Sequence, residues 1–221
     1  MRTLFSKKNI LFFTLVSVLL FSCKKDDEET FNGDPNNWVD KDHVTLTNEY
    51  GIVATFPKDQ WTNTYIDTMP ADMNSYFDGF RYNAICASLL SDTIIKEGDT
   101  LPRYMTSIYF MRFHETFDNQ EACDEFIQAY KERIYDDYAT KYHVYYEKIS
   151  EISDTIIGKK SYKAKHFTAR RGGSGISEGV EKIYLIYEKP RLYGVNIKID
   201  DNFAEASLQK CMDILQTVSI Q

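Results

Sequence analysis

The residues whose types come nearest to a ligand site are Arg170-Arg171-Gly172-Gly173-Ser174-Gly175-Ile176-Ser177-Glu178-Gly179. Glycines leave backbone N–H groups open to an anion, and two guanidinium groups can hold it, so Arg170, Arg171, Gly172, Gly173 and Gly175 make a candidate anion cradle. The spacing fits no phosphate signature. It lacks the Gly-Lys-Ser/Thr ending of a P-loop, and Gly173, Gly175 and Gly179 miss the dinucleotide pattern by one residue. Ser174 is not in a Gly-x-Ser-x-Gly elbow, because a glycine follows it directly. A mobile hairpin loop is the plainer reading.

The other reactive types are scattered. His43, His114, His143 and His166 stand at no metal-ligand spacing from one another. Asp200-Asp201-Asn202 lacks the glycine and the distal glutamate of a calcium loop, and a helix N-cap accounts for it. A cysteine nucleophile needs a paired histidine, and no signature points to one. Tyrosine is abundant, 16 in the chain, with Tyr142, Tyr145 and Tyr146 close together; an exposed tyrosine suits a protein interface or a sugar, a buried one the core. The sequence thus names no catalytic residue, no metal and no cofactor, and the expectation is a protein that is not an enzyme.

Leu20-Phe21-Ser22-Cys23 carries more information. Arg2, Lys7 and Lys8 form a basic region, and an apolar run of 12 residues from Ile10 to Phe21 follows, interrupted only by Thr14 and Ser17. That run is too short for a spanning helix, which needs about 20 apolar residues, and reads as a signal peptide over 1–22. A cysteine after such a run resembles the lipobox of bacterial lipoproteins, with Leu20 and Ser22 fitting well and Phe21 larger than usual. The resemblance implies cleavage before Cys23 and lipid on its sulfur, hence a membrane partner reached through lipidated Cys23. Lys24-Lys25-Asp26-Asp27-Glu28-Glu29 resembles the export signal of Bacteroidetes-type surface lipoproteins. It implies an outer-membrane location facing the cell exterior, with the periplasmic face as the alternative. Residues 23–41 have too few apolar groups to offset the entropy of ordering and read as an acidic tether.

Loss of Arg2, Lys7 and Lys8 takes the net charge from −7 to −10. Nucleic acid is excluded as a partner, since phosphate binding needs clustered cations and the only adjacent arginines are Arg170 and Arg171. Once Cys23 is lipidated, Cys86, Cys123 and Cys211 remain, enough for at most one internal disulfide; buried free thiols are the favoured reading. Residues 42–221 suit one domain.

Within that domain, β-branched and aromatic runs predict strands at 50–56, 80–90, 104–113, 142–149, 161–168, 183–187 and 193–199, with a hairpin turning at Lys189-Pro190. The run at 104–113 is apolar on both faces, as befits a central strand covered on both sides. Asp118 caps a predicted helix whose apolar stripe includes Cys123, Phe126, Ile127 and Tyr130, and Asn202 caps another with Ala204, Leu208, Cys211 and Leu215. The fold class is α+β, an antiparallel sheet of about six or seven strands with packed helices.

Phe56-Pro57 followed by Trp61, a middle helix, a hairpin entered by Ile156-Ile157-Gly158, two long late strands and a C-terminal helix running into Leu215-Gln216-Thr217-Val218-Ser219 together resemble the PsbP-like fold. The resemblance implies a PsbP-like α/β/α sandwich and a binding or assembly role, and it transfers no catalytic residue. The expected function is therefore a surface-anchored, non-enzymatic protein-interaction or assembly module with a protein partner in the cell envelope. The alternative is a lipoprotein that gathers glycans or small nutrients for uptake.

Overall fold

The computed structural model describes residues 43–47 (as backbone), 51–57, 59–64, 80, 82–95, 103–137, 145–172 and 178–221. Cys23, the signal peptide, the tether, Gly173 and Gly175 lie outside them. The strands are β1 (His43–Thr47), β2 (Ile52–Pro57), β3 (Trp61–Thr64), β4 (Tyr82–Leu89), β5 (Thr93–Ile94), β6 (Arg103–Tyr104), β7 (Thr106–Thr116), β8 (Tyr145–Ile149), β9 (Ser153–Ile157), β10 (Tyr162–Gly172), β11 (Gly179–Glu188), β12 (Arg191–Asp200) and β13 (Ser219–Ile220). The helices are α1 (Gln120–Lys131), continued by a π-helical turn at Glu132–Asp137, and α2 (Ala204–Thr217), preceded by a 3-10 turn at Asp201–Phe203.

The chain is α+β and built mainly of antiparallel sheet. Its main sheet has eight strands in the order β3-β4-β7-β12-β11-β10-β8, with β9 also pairing β10; β1, β2 and β13 form a second sheet, and β5 pairs β6. The eight strands exceed the expected six or seven because Trp61–Thr64 continues the sheet at one edge, where a turn is expected, and because β8 and β9 share the outer edge of β10.

Alternation along the long strands builds two apolar faces. On one, Ile108, Phe110, Val195, Ile197 and Ile199 meet Cys211, Ile214 and Leu215 of α2 and Phe56 of the small sheet. On the other, Phe113, Phe167, Ile183 and Leu185 meet Cys123, Ile127 and Tyr130 of α1. β7 contributes to both faces, so it is a covered central strand, as its sequence predicts. Cys86, Cys123 and Cys211 are free and buried. Cys123 and Cys211 pack as small apolar groups on the stripes read from the sequence, each in one of the two apolar clusters.

The helix starts lie one or two residues from the predicted caps. Asn119, not Asp118, caps α1, its side chain accepting from the Ala122 N–H at 2.9 Å. Asp200, not Asn202, caps the turn before α2, its carboxylate accepting from the Asn202 N–H at 3.0 Å and from the Asn202 side-chain amide at 2.8 Å. Asp200 is the last residue of β12 and so stands before the first free N–H groups of the turn, whereas Asn202 already lies inside it. Phe117, just before α1, packs its ring against that of Phe126 with 5.0 Å between centroids.

The turn between β9 and β10 is tied to the carboxyl end. The Lys159 N–H donates to the Val218 carbonyl at 2.9 Å, and Gly158 sits there at a φ of +76°. A Cβ on Gly158 would overlap that same carbonyl oxygen. Gly158→Ala combines this overlap with left-handed strain and is expected to cost at least about 2 kcal/mol, read as a lower urea midpoint with an unchanged slope.

Candidate functional site

Two features of the face that carries α1 stand out: a groove alongside the helix and a polar seam beyond its carboxyl end. The groove has Gln120 and Ile127 of α1 as one wall, Asp154, Thr155 and Ile156 of β9 as the other, and Leu185 and Tyr187 of β11 in its floor. Its volume is about 550 Å³. A second cavity of about 490 Å³ adjoins it, sharing Gln120, Lys163 and Tyr187 and adding Lys160, Tyr162 and Glu188.

Strand alternation explains the lining. Lys163 and Lys165 lie on the same side of β10 as Phe167 and Ala169, and they pair in register with Ile156 and Asp154 of β9. Lys165 bridges the two walls, 3.5 Å from Asp124 of α1 and 3.0 Å from Asp154 of β9. The hydrogen bond to Asp154 leads the effects that raise its pKa, so it stays charged at neutral pH. Lys163 is exposed and has no ion pair among the described residues. Ile156 stands 63% exposed at the lip, although it is a large apolar side chain.

The seam is a cross-strand row. Register places Glu181 of β11 beside Lys198 of β12, Lys198 beside Ser107 of β7, and Ser107 beside Ser88 of β4; one row away Asn196, Tyr109 and Cys86 are neighbours. Glu181 is 2% exposed. It accepts from Tyr135 at 3.2 Å, Tyr146 at 3.4 Å and the Asn196 amide at 3.3 Å, with the Lys198 ammonium 3.6 Å away. The π-helical turn delivers Tyr135, whose ring packs 5.0 Å from Tyr146 and 5.4 Å from Phe167. Lys198 also lies over the Tyr109 ring at 4.9 Å. Asn196 Oδ1 is buried without a partner in the structure.

Burial first, and the Glu181 charge among lesser causes, raise the pKa values of the phenols around it: Tyr82 is pushed up to about 12, and Tyr109, Tyr130 and Tyr135 are raised as well. These hydroxyls are hydrogen-bond donors at neutral pH and cannot act as bases. Cys86 has Ser88 Oγ at 3.8 Å and Tyr109 beside it, neither of which can take the thiol proton. The seam therefore fixes one buried carboxylate between donors and holds β11, β12, β8 and the π-helical turn together; it does not assemble a nucleophile with a base.

The candidate anion cradle is divided by the fold. Arg170 and Arg171 are consecutive in β10 and face opposite sides of the sheet. Arg170 forks onto the Asp201 carboxylate, one arm at 3.3 Å, with Glu178 4.0 Å away, so acids of this chain already face its charge. Arg171 pairs in register with Tyr146 across a β-bulge, and Gly172 ends the strand. His166 stacks on Tyr184 at 4.6 Å, and burial followed by Lys182 lowers its pKa, so it is neutral at pH 7. Among the described residues, no three of His, Cys, Asp and Glu come together as metal ligands, and no helix is long and apolar enough to cross a membrane.

Sequence reasoning missed Glu181 of the seam and the meeting of Lys163 with Ile156 in the groove. One signal was present for Glu181, which shares its strand face with Ile183 and Leu185: an acid on an apolar stripe needs partners. No family model matches the chain, and no curated protein matches it.

Proposed function

We propose that the protein is a lipid-anchored, non-enzymatic interaction module of the outer membrane. In this reading a PsbP-like domain is held off the surface by the acidic tether and docks a protein partner in the groove between α1 and the β9–β10 hairpin. The observation that carries the proposal is the groove itself: two adjoining cavities, an apolar floor, and Ile156 exposed at its lip. A concave surface with an apolar floor is a favoured place for a partner to bind, and Ile156 adds an apolar contact at its lip. The antiparallel sheet, covered on both faces and ending in α2 and Val218, supports the PsbP-like reading. The lipobox supports the anchor.

The nutrient-gathering alternative needs two exposed rings side by side. Among the described residues two tyrosines line the cavities, and Tyr162 is buried, bonded to the Ile220 backbone, which leaves Tyr187 as the accessible described ring. Protein docking is therefore preferred.

The test is photo-crosslinking in living cells, with a benzophenone amino acid in place of Ile156 or, as a control, of the exposed Gln209 on α2. One dominant protein adduct is expected from position 156, abolished by Lys163→Glu, and none from 209. Equal adducts from both positions would remove the docking role of the groove. Labelling with a radioactive fatty acid tests the anchor separately: the wild type should incorporate label and Cys23→Ser should not.

A further inference from the structure

We infer that the partner adds an extended acidic segment as a new strand to the outer edge of β9, with its alternate side chains turned over Ile156 towards the groove. This rests on the docking reading above and assigns the chemistry of the partner.

Among the described residues β9 pairs only with β10, and no described strand takes up its other edge. Stable proteins guard such edges with lysine, proline, a bulge or a covering element, because unpaired N–H and C=O groups invite a further strand. β9 reads Ser153-Asp154-Thr155-Ile156-Ile157, without lysine or proline, and pairs with β10 in unbroken register. Its one charge, Asp154, is matched by Lys165 at 3.0 Å. What remains outward is Ile156, on the groove side, at 63% exposure.

Charge selects the incoming strand. Lys159, Lys160 and Lys163 fall within five residues of a chain whose net charge is −7, and none has an ion pair among the described residues. Lys163 belongs to both cavities and Lys160 to the second. Glu188 lines the second cavity from β11, so the positive rim runs along the β9–β10 hairpin. A strand laid against β9 presents every second side chain to the groove. There an apolar side chain can cover Ile156 while acidic ones on the same face reach Lys160 and Lys163. Backbone bonds supply affinity in this mode, and the alternate side chains supply specificity.

The experiment uses the full chain in detergent micelles and a fluorescein-labelled peptide, Thr-Glu-Thr-Val-Thr-Glu-Thr-Val-Thr, followed by anisotropy and by amide exchange at residues 153–157. The peptide is expected to bind, more weakly at high salt, and to slow exchange in β9. Lys160→Glu with Lys163→Glu should weaken binding at least tenfold. Ile156→Lys, which installs a natural edge guard at an exposed position and leaves the thermal melt unchanged, should weaken it as much. A peptide with lysine for glutamate, or with proline for the central threonine, should not bind. Three results would overturn the inference: equal binding of the proline peptide, indifference to both variants, or capture of anionic phospholipid vesicles by the lysine rim with no peptide binding. If the peptide fails while the crosslink at 156 persists and Lys163→Glu abolishes it, strand addition is wrong and the docking groove stands; if both fail, the docking reading falls too.

Discussion

Asp92→Ala is expected to cost about 3–5 kcal/mol of folding stability. The side chain is 3% exposed, and its carboxylate accepts from the hydroxyls of Thr106 and Ser207, both buried, and from Ser91 at 2.9 Å. Its backbone accepts from the Met105 N–H at 2.8 Å. One acid thus joins the turn after β4, the start of β7 and the first turns of α2. Alanine would leave two buried hydroxyls without an acceptor, and each unsatisfied group costs about 1–3 kcal/mol. An asparagine side chain would keep the shape and lose the charge, so Asp92→Asn should fall between wild type and alanine. Urea unfolding measures both. A double-mutant cycle assigns the cause: on a Thr106→Val, Ser207→Ala background, Asp92→Ala should cost much less. A loss below about 1 kcal/mol on the wild-type background would show that the carboxylate is not what joins the three elements.

Asp92 also shows how far sequence reaches. The helix stripes and the two-faced strand at 106–116 were legible because their signal is local periodicity, and tertiary packing agreed with it. Partners such as Asp92 and Ser207 lie 115 residues apart, and no local pattern pairs them. Glu181 was obscured for a related reason. Read from its apolar residues alone, the strand begins at Ile183; in the fold it begins at Gly179, because pairing with β12 carries the ladder past the apolar run.

The groove was not legible either. Lys163 and Lys165 read as the wet side of an alternating strand, and Lys163 is exposed as that reading implies. That α1 and β9 would rise on either side of them depends on β9 sharing the outer edge of β10 with β8, a matter of topology rather than of composition. Of the candidate anion cradle in the glycine-rich stretch, Arg170, Arg171 and Gly172 fall among the described residues. Its residue types suit an anion, yet strand alternation sends its two arginines to opposite faces, and Asp201, placed by the end of β12, meets one of them.

Raising the pH from 9 to 11 is expected to remove about 5 kcal/mol of stability through two thiols alone. Burial is the main cause that pushes Cys123 and Cys211 from the ordinary 9.0 up to about 12, with the nearby charges of Asp124 and Asp92 adding in the same direction and Lys165 and Lys210 opposing. Between these values the unfolded chain has released protons that the folded chain retains. Stability is therefore whole below about pH 9 and falls by about 1.4 kcal/mol per pH unit for each thiol as the pH rises towards 12. Tyr82, raised from 10.0 to about 12, and Tyr130 and Tyr135, raised well above 10.0, steepen the fall once the pH passes about 10. A domain of this size has about 5–15 kcal/mol in hand, so it should approach its unfolding midpoint near pH 11 without denaturant. Urea midpoints between pH 8 and 11 measure the slope. Cys123→Ala with Cys211→Ala should flatten it between about pH 8 and 9.5, where each tyrosine contributes about a fifth of what each thiol does, and leave the steep fall above pH 10. An unchanged slope below about pH 9.5 in that variant would mean that the two thiols are not the groups whose ionisation burial suppresses.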